Sequence, residues 1–568
     1  MVVAAGVDPV PEHDLVRPEH DLVRPEYDLV CVGGGLGGLA AAARAAALGL
    51  DVLVVEASDT VGGCGAYSGG LLWAPGAEGA DPPDSVEAAD AYLAYVQGER
   101  TSDTVLRREV LQAAREAVAL SADLGVAFEV VPGNPDVFFP QAPGSTATGR
   151  MLEVAVDGAD LGALRPLLTP SPHYRTGLRH RELFGSGRST EELEELYAER
   201  GRGDLLTMGL GLAGAFVRAA LVERAVSWRT GLRVVDLLAR DGRVVGVRAV
   251  GTDGQTVEVG ARRGVLLATG GYGWAEDAAA LEGLPDFAEA GPPSLQGDHL
   301  RLVEQVGAGI VRGGGPQFSL GAQVQPGDVH PGTDQPLCSQ LFDVMGLPHT
   351  LVVNRDGQRF GDESYYVGIN EALRRWDATG KRWSNFPCYL IVDAQFQRRY
   401  RLATLPPGMP YPSSVAQADS LPELARRLGV DPDGLVETVA TYNSGAREGR
   451  DPAFARGTSA FVRRRYGDPA HEPNASLGPV EEPPFAGLPL RLLGTGLCTF
   501  GVRTDADARV LRRDASPVPG LFATGDAVAT TEFLGYVTGY GNTRTIAMAY
   551  RAAAAVAGRP PRREDPPL

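Results

Sequence analysis

One stretch near the start of the chain combines two apolar runs with a helical run between them. Residues 29–32 are apolar and predict a buried strand. Glycines in GxGxxG spacing follow, and an alanine-rich run with high helix propensity comes next. A second apolar run at 52–55 ends in an acidic residue. Residues 27–56 therefore predict a strand–turn–helix–strand unit, around which the rest of the chain is organised.

Three glycines and one acid in this unit match the parts of a bound dinucleotide. Gly33 permits a tight turn, Gly35 lets the backbone approach a pyrophosphate, and Gly38 lets the helix pack closely on the strand. The helix N-terminus offers N–H groups and a positive dipole to the phosphates. Glu56, at the end of the second strand, can accept hydrogen bonds from ribose hydroxyls. The unit predicts a Rossmann-type site, and these residues alone leave FAD and NAD as alternatives.

Three later stretches carry further nucleotide signals. Glycines are dense at 57–76, where they let the backbone lie against a flat ring. A predicted strand ends in a Thr-Gly-Gly turn within 264–273. Residues 518–529 form a predicted strand followed by Asp526, and an acid at this place suits the ribityl hydroxyls of a flavin. A helix N-cap is the alternative role of Asp526, and a helix is predicted over 543–556.

Turn residues divide two other regions into elements. Asp-Gly pairs at 241–242 and 253–254 predict a β-meander over 232–259. Residues 418–443 have helix-forming composition, interrupted by glycine and proline at 429–432, and predict two helices.

The length of the chain requires more than one domain. A chain of 568 residues is too long for one compact core, and nucleotide signals occur at both of its ends. The middle is richer in proline and tyrosine and lacks a strict period. We predict an α/β fold with a discontinuous Rossmann-type nucleotide-binding domain and an inserted α+β substrate domain. The predicted limits are a disordered tail at 1–26, nucleotide-binding parts at 27–285 and 485–560, the insertion at 286–484, and a tail at 561–568.

Charge and cysteine usage exclude several classes of function. The net charge is −18 with a pI of about 5.0, and the basic patch that nucleic-acid binding needs is missing. The five cysteines show no CxxC spacing, so we expect no iron–sulfur, zinc or redox dithiol site. We see neither a signal peptide nor an apolar run of membrane-spanning length. We therefore expect a cytoplasmic protein without a metal, a nucleic-acid partner or a stable membrane span.

Several motifs together resemble the succinate dehydrogenase/fumarate reductase flavoprotein superfamily. They are GGGLGGLAAA, VGGCGAYSGGLLW, ATGG and GLFATGD. LTMG, VVNRDGQRFGDES and RRYGDP make the chain more closely similar to 3-ketosteroid Δ1-dehydrogenases and their relatives. The resemblance implies an FAD-dependent oxidoreductase acting on CH–CH groups, with non-covalent FAD in the discontinuous domain. The implied FAD-binding residues are Gly33, Gly35, Leu36, Gly37, Gly38, Glu56, Ala57, Gly63, Cys64, Ser68, Gly69, Gly70, Ala268, Thr269, Gly270, Gly525, Asp526 and Thr543.

The same resemblance implies a reaction and its catalytic groups. In this family a cyclic ketone loses its α-proton to a tyrosine and its β-hydride to the flavin. Tyr536 matches the tyrosine that holds the ketone oxygen, with Gly539 or Gly541 as the backbone donor. The base matches Tyr366, with Tyr365 as the alternative. Donors aimed at the developing enolate oxygen lower the barrier, and a phenol needs a depressed pKa to act as a base near neutrality.

One loop departs from the family pattern. A third tyrosine normally lies in a GYPDY-like loop, which reads GNPDVFF here. Asn134 and Val137 occupy the candidate positions, and Phe138 and Phe139 follow as expected substrate contacts. The loss of a polar group predicts a reshaped pocket, so the substrate is either a steroid or another cyclic ketone. The sequence does not specify the electron acceptor.

A fumarate-reductase-like enzyme that reduces an activated alkene is the alternative. His330-Pro331 and Arg359 resemble that branch, which uses an arginine as proton donor and Arg or His clamps for carboxylates. The donor position, however, reads 366–368, Tyr-Val-Gly, and an expected arginine near the C-terminal helix is missing, although Arg544 lies nearby. Ketone desaturation is therefore the main hypothesis. A flavin-binding electron carrier without chemistry of its own is a third interpretation.

Overall fold

The computed structural model describes most of the chain. The two predicted tails lie outside the described residues, except for residue 26. The described ranges are 26–77, 83–136, 138–168, 171–183, 190–201, 203–314 and 318–559.

The largest sheet joins strands from both ends of the chain. Glu26–Val32 pairs in parallel with Val52–Val55 on one side and with Thr256–Leu267 on the other. Pro517–Ala523 adds in parallel to Thr256–Leu267. The central strands are almost completely buried, as parallel strands covered by helices are. Across the sheet the order is Arg509–Leu511, Pro517–Ala523, Thr256–Leu267, Glu26–Val32, Val52–Val55 and Ser227–Arg229.

The predicted β-meander is confirmed, and it leads directly into this sheet. Leu232–Arg240, Arg243–Gly251 and the first half of Thr256–Leu267 pair antiparallel. Gly242 and Gly254 stand in the turns at φ +74° and +78°, where glycine avoids the strain that other residues meet. Thr256–Leu267 then continues as a parallel strand beside Glu26–Val32, so the predicted Thr-Gly-Gly turn emerges at the carboxyl edge of the parallel sheet.

Two helices from opposite ends of the chain contact each other on this sheet. Leu36–Ala47 follows the glycine turn, and nine of its twelve residues are buried. Tyr540–Val556 packs against it in the largest apolar core. The alanine side chains of both helices are short enough for close packing. The C-terminal helix begins three residues before its predicted start at 543.

Residues from the middle of the chain form two more sheets. One is antiparallel and is covered by Leu421–Leu428 and Pro432–Ala446, the predicted helix pair. Gly429, at φ +74°, ends the first of these helices, and Pro432 begins the second. The domain limits given above stay predictions. The strand order of the antiparallel sheet is Thr350–Asn354, Cys388–Val392, Phe485–Pro489 and Ala416–Ala418. The strand order of the other sheet is Ala288–Glu289, Arg491–Gly494, Phe318–Ala322 and Ser339–Gln340.

The remaining elements are short strands and helices around these sheets. The strand groups are Leu72–Trp73, Met151–Glu153 and Glu129–Val130; Ile310–Arg312 and Phe500–Val502; Trp376–Asp377 and Arg382–Trp383; and Val156–Asp157 and Leu205–Leu206. The α-helices are Gly63–Tyr67, Val86–Gln97, Thr104–Asp123, His180–Leu183, Thr190–Gly201, Met208–Val217, Ala278–Glu282, Asp298–Glu304, Phe342–Met345, Tyr366–Leu373, Ala394–Arg399 and Ala460–Tyr466. Gly158–Leu167 and Gly525–Ala527 are 3₁₀-helices, and Arg218–Val222 is a π-helix.

A buried network of charges holds the segment that precedes Tyr366–Leu373. Arg456 donates to Glu363 at 2.8 Å and to the Thr350 carbonyl at 2.8 Å. Arg359 donates to Glu363 at 2.8 Å and to Asp451 at 2.9 Å. All four charged side chains are at most 5 % exposed. Breaking one of these ion pairs would leave a buried charge unpaired, which is costly. The network therefore favours one position of residues 359–364.

Candidate active site

Two cavities at the carboxyl edge of the parallel sheet share part of their lining. The larger has a volume of about 540 Å³ and the smaller about 80 Å³. Cys64, Asp526, Asn542 and Thr545 line both. Of the predicted cofactor residues, the smaller cavity has Gly33, Gly35, Leu36, Gly37, Glu56, Ala57, Gly63, Cys64, Ala268, Thr269, Gly270, Gly525 and Asp526.

The glycine turn lies so close to the neighbouring backbone that a side chain would not fit between them. A Cβ atom at Gly33, which has φ +115°, would lie 2.2 Å from the Ala268 carbonyl oxygen. A Cβ at Gly38 would lie 1.9 Å from the Gly33 carbonyl oxygen. A Cβ atom at Gly35 would meet no clash, since its nearest neighbour would be the Gly63 Cα at 3.8 Å. No side chain caps the helix that follows, so its N–H groups are available to a pyrophosphate.

The acid at the end of the second strand is held in place by backbone donors. The Gly34 N–H donates to one Glu56 oxygen at 2.6 Å, and the Ser58 N–H and O–H both donate to the other at 2.8 Å. These bonds orient the carboxylate along the wall of the smaller cavity, beside the glycine turn. The oxygen that accepts from Gly34 retains a lone pair for a ribose hydroxyl.

Asp526 is a half-buried acceptor without a donor from the described part of the protein. It stands in the 3₁₀-helix Gly525–Ala527, at the border of the two cavities. Burial raises the pKa of its carboxyl to about 6, against the opposing effect of Arg544. A buried carboxylate is costly unless a donor satisfies it. The ribityl hydroxyls of FAD supply such donors, so the residues of this site fit the cofactor.

Burial raises the pKa of two groups beside Asp526. Burial raises the pKa of the Cys64 thiol well above its usual value, and a protonated thiol is a poor nucleophile. This supports non-covalent FAD, which stays a prediction. Sequence reasoning missed Glu289, which accepts N–H bonds from Gly291 at 2.6 Å and Gly496 at 2.9 Å. Burial raises the pKa of Glu289 to about 7.

The predicted ketone-binding residues line the larger cavity together. Tyr536, Gly539 and Gly541 are all part of its wall. Gly539, at φ +84°, is the N-cap of Tyr540–Val556, and no side chain caps this helix. The start of this helix and Tyr536 thus belong to the wall of the same cavity.

Thr543, a predicted cofactor residue, is engaged within the protein. Its hydroxyl accepts the Trp73 N–H at 2.8 Å and donates to the Gly539 carbonyl at 3.1 Å. The flanking Asn542 and Thr545 reach the cavities instead. Cofactor contact by Thr543 stays a prediction.

The two candidate bases have different positions. The Tyr365 ring packs against Phe138 and Phe139, with ring centroids 5.5 Å and 6.4 Å away. Its hydroxyl is buried without a hydrogen-bond partner among the described residues, and burial raises its pKa, the reverse of what a base needs. Tyr366 begins the helix Tyr366–Leu373, and its side chain lies outside what the structure describes. Its role as the base stays a prediction.

In the loop that departs from the family pattern, residues other than the two phenylalanines line the larger cavity. Asn134, Pro135 and Pro140 contribute to the lining. Phe138 packs behind this wall, 5.7 Å from the Tyr536 ring. Val137 lies outside the described residues. Substrate contact by Phe138 and Phe139 stays a prediction.

Sequence reasoning missed one complete wall of the larger cavity. His180 donates its Nε2–H to the Gly69 carbonyl at 2.6 Å. Tyr174 stands nearby, and burial raises the pKa of its phenol to about 12. Arg465 and Tyr466 come from the end of Ala460–Tyr466. The RRYGDP motif was the available signal for the last two, but it did not indicate a role.

The fold, the glycine turn and the acceptor at Asp526 indicate a flavin-dependent oxidoreductase. The chain belongs to the FAD binding domain family, whose model matches residues 28–543. It is 32% identical over 546 residues to the 4-oxocyclohexanecarboxylate 2-dehydrogenase of Sinomonas cyclohexanicum, with 93% of this chain and 92% of the relative covered. It is 31% identical over 543 residues to the 3-oxosteroid 1-dehydrogenase of Mycobacterium tuberculosis H37Rv, with 88% and 92% covered.

A solved structure has the same architecture. It is the crystal structure of 3-ketosteroid delta1-dehydrogenase from Sterolibacterium denitrificans in complex with 1,4-androstadiene-3,17-dione. The TM-score is 0.83 at 28% identity, with 94% of this chain and 100% of that chain covered. The predicted fold class, the FAD cofactor and the oxidoreductase class are therefore confirmed. Across the described part of the chain, no helix is long and apolar enough to cross a membrane.

The ionisation of Asp526 predicts a pH dependence of FAD binding. Its carboxyl has a pKa of about 6 in the free protein, and the ionised form is the better acceptor for ribityl hydroxyls. As the pH falls below 6, FAD affinity should therefore weaken by up to about tenfold per pH unit. Titration of apoprotein with FAD, followed by flavin fluorescence between pH 5 and 8, measures this. The Asp526→Asn variant should bind FAD less tightly, and its FAD affinity should depend less on pH. If the pH dependence of this variant equals that of the wild type, Glu289 is the group responsible for it.

Proposed function

We propose that this protein desaturates a cyclic ketone between the carbons α and β to the carbonyl. The α-hydrogen leaves as a proton and the β-hydrogen leaves with its electron pair as a hydride. When bound, FAD supplies the acceptor for that hydride. The observation that carries the proposal is the meeting of Tyr536 and Gly539 in the cavity that is also lined by Asp526. The names of the two curated relatives, which are both dehydrogenases of oxo-substituted ring compounds, support it.

The proposed ketone donors are the Tyr536 hydroxyl and the backbone N–H of Gly539, with Gly541 as the alternative. An α-hydrogen becomes acidic only when the oxygen can take up the developing negative charge. A hydroxyl donor and a helix N-terminus both favour such charge. Because the helix Tyr540–Val556 is held by its packing on Leu36–Ala47, these donors need little reorganisation during the reaction.

Tyr366 is the proposed proton acceptor. The buried network of Arg359, Glu363 and Arg456 orients the segment leading to it. The neighbouring Tyr365 is enclosed by aromatic rings, and its phenol is stabilised in the neutral form. The surroundings of Tyr365 therefore favour Tyr366 as the proton acceptor.

The two arginines of this chain that resemble or lie near the positions used by the alkene-reducing branch have other partners. Arg359 is paired with Glu363 and Asp451. Arg544 is buried, pairs with Glu532 and also donates to the Ala529 carbonyl at 3.2 Å. An arginine held between buried carboxylates is strongly stabilised as a cation and is a poor proton donor. These contacts favour desaturation over the alternative.

Anaerobic mixing of the FAD-loaded protein with saturated cyclic ketones tests the function. Rapid loss of the visible flavin band, together with formation of the conjugated enone, is the expected result. If no ketone bleaches the flavin, and an enone or a fumarate-like acid reoxidises pre-reduced protein, the reaction runs as alkene reduction. Loss of colour without an enone would mean that the ketone is not the electron donor.

Tyr536→Phe should slow flavin reduction by about 10²–10³-fold, the usual effect of losing one donor to a developing oxyanion. FAD affinity should not change. Tyr95→Phe is the matched control, because Tyr95 is 45% exposed and should retain the wild-type rate. Stopped-flow absorbance at saturating ketone measures both rates. A Tyr536→Phe rate within about threefold of wild type would remove this tyrosine from the proposal.

The choice between the adjacent tyrosines is testable without net turnover. The base should exchange the ketone's α-hydrogens with D₂O even when the flavin is already reduced. We expect Tyr366→Phe to abolish this exchange and Tyr365→Phe to retain most of it, because the Tyr365 hydroxyl is enclosed. Proton NMR of the ketone follows the exchange. The opposite pattern would transfer the role of base to Tyr365.

A further inference from the structure

We propose that Glu289 is a proton-binding site coupled to the redox state of the flavin. Its carboxyl takes up a proton from solvent when FAD is reduced and releases that proton when FAD is reoxidised. The inference depends on FAD binding and not on the proposed ketone substrate. It follows from the position of Glu289, from the unequal hydrogen bonding of its two oxygens and from the charges around it.

Glu289 lies directly behind the wall of the larger cavity. It ends the strand Ala288–Glu289, and Gly291, two residues further on, is part of the cavity lining. A Cβ atom at Gly291 would lie 3.1 Å from the Glu289 Oε1 and 3.5 Å from the Cys64 Sγ. Cys64 lines both cavities. The carboxyl and the thiol therefore meet at one side of Gly291, at the flavin end of the site.

The two oxygens of Glu289 have different surroundings. The backbone N–H groups of Gly291 and Gly496 donate to Oε1 at 2.6 Å and 2.9 Å. Oε2 is buried and has no hydrogen-bond partner among the described residues. The two donors favour the carboxylate, whereas an ionised oxygen without a donor is costly in a buried place. A proton on Oε2 removes this cost. Burial is the larger effect, and it raises the pKa of Glu289 to about 7.

The groups that act on Glu289 also border the flavin site. Asp526 lines both cavities, and its like charge raises the pKa of Glu289. Glu289 in turn raises the pKa of the Cys64 and Cys498 thiols, which burial already keeps protonated. A change of charge at the flavin end of the site therefore acts directly on the Glu289 carboxyl.

The other charges on the surrounding elements are paired or absent. Arg491, on the strand beside Ala288–Glu289, donates to Asp286 at 2.6 Å. Glu282 accepts the Tyr272 hydroxyl at 2.7 Å. Burial shifts the pKa of the remaining titratable side chains nearby towards the neutral form, namely Tyr67, Tyr272, His173, His299, His330 and Cys338. Among the described residues, no unpaired cation therefore adjoins Glu289 to cancel added negative charge.

Reduction of FAD changes this balance. A hydride carries an electron pair with its proton, so its transfer adds one negative charge to the site bordered by Cys64 and Asp526. In a buried site such a charge acts strongly on a neighbouring carboxyl, and a like charge raises the pKa of that carboxyl further. A proton from solvent then binds the Glu289 carboxylate, and reoxidation returns it to solvent. By linkage, reduction of the flavin becomes more favourable as the pH falls.

Proton uptake during reduction without substrate tests the inference. The FAD-loaded protein is reduced electrochemically under anaerobic conditions in weakly buffered solution, and a pH indicator reports the protons taken up per flavin. At about pH 7.5 the wild type should take up about half a proton more than Glu289→Gln, because a group with a pKa of about 7 is then mostly ionised before reduction. At about pH 5.5 this difference should vanish, because Glu289 is already protonated. Equal uptake by the two proteins at the higher pH would overturn the inference.

Glu282→Gln is the matched control. Glu282 is also buried and also acts on the Cys498 thiol. Its two oxygens accept the hydroxyls of Tyr272 and Thr499, each at 2.7 Å, so neither oxygen needs a proton. This variant should take up as many protons as the wild type. A loss equal to that of Glu289→Gln would show a general response to the removal of a buried carboxylate, and the inference would fail.

A second measurement needs no variant at Glu289. At about pH 7.5 the infrared difference spectrum between the reduced and the oxidised wild type should gain the carbonyl band of a protonated carboxyl, which shifts in D₂O, and at about pH 5.5 it should gain none. The band should persist in Asp526→Asn, which removes the carboxyl with a pKa of about 6. Absence of the band at the higher pH, or its loss in Asp526→Asn, would contradict the inference. Neither measurement uses a ketone, so ketone desaturation stands or falls by its own test.

Discussion

The contact between two backbones at Gly33 determines where the chemistry is located. There the turn after the first strand lies against the Ala268 carbonyl so closely that no Cβ fits between them. This contact brings the carboxyl ends of Glu26–Val32 and Thr256–Leu267 to one edge and aims the N-terminus of Leu36–Ala47 along it. Ligands of open α/β sheets bind at such an edge. Both cavities lie there, and the residues that give the site its polarity come from the loops that leave this edge.

The site is complete only when the two ends of the chain meet. The pairing of Pro517–Ala523 with Thr256–Leu267 places Asp526 where both cavities meet. The residues that follow Asp526 supply Tyr536 and the uncapped helix start at Gly539. A single C-terminal segment thus contributes to the walls of both cavities. FAD should stabilise this long-range pairing, because a ligand that binds only the folded state favours that state.

The sequence predicted those features that are encoded over short distances. The GxGxxG spacing, the two Asp-Gly turns and the break at Gly429 each specify a local backbone shape, and the structure has those shapes. It could not predict the wall that contains Tyr174 and Arg465, because these residues are almost 300 positions apart and no local pattern links them. The sequence also could not predict the direction in which a single side chain points. Thr543 looked like a cofactor contact, yet its hydroxyl bonds to Trp73 and Gly539.

Burial is the common cause of the raised pKa values in and around the larger cavity. It raises the pKa of Asp526 to about 6, of Glu289 to about 7 and of Tyr174 to about 12. The phenol is therefore neutral near pH 7, and Glu289 carries only part of a charge. Arginine keeps its proton at any physiological pH, so Arg465 is the constant charge on its wall. Asp526, by contrast, loses its charge as the pH falls through about 6, and it lines both cavities. Its ionisation therefore acts on a ligand in either of them.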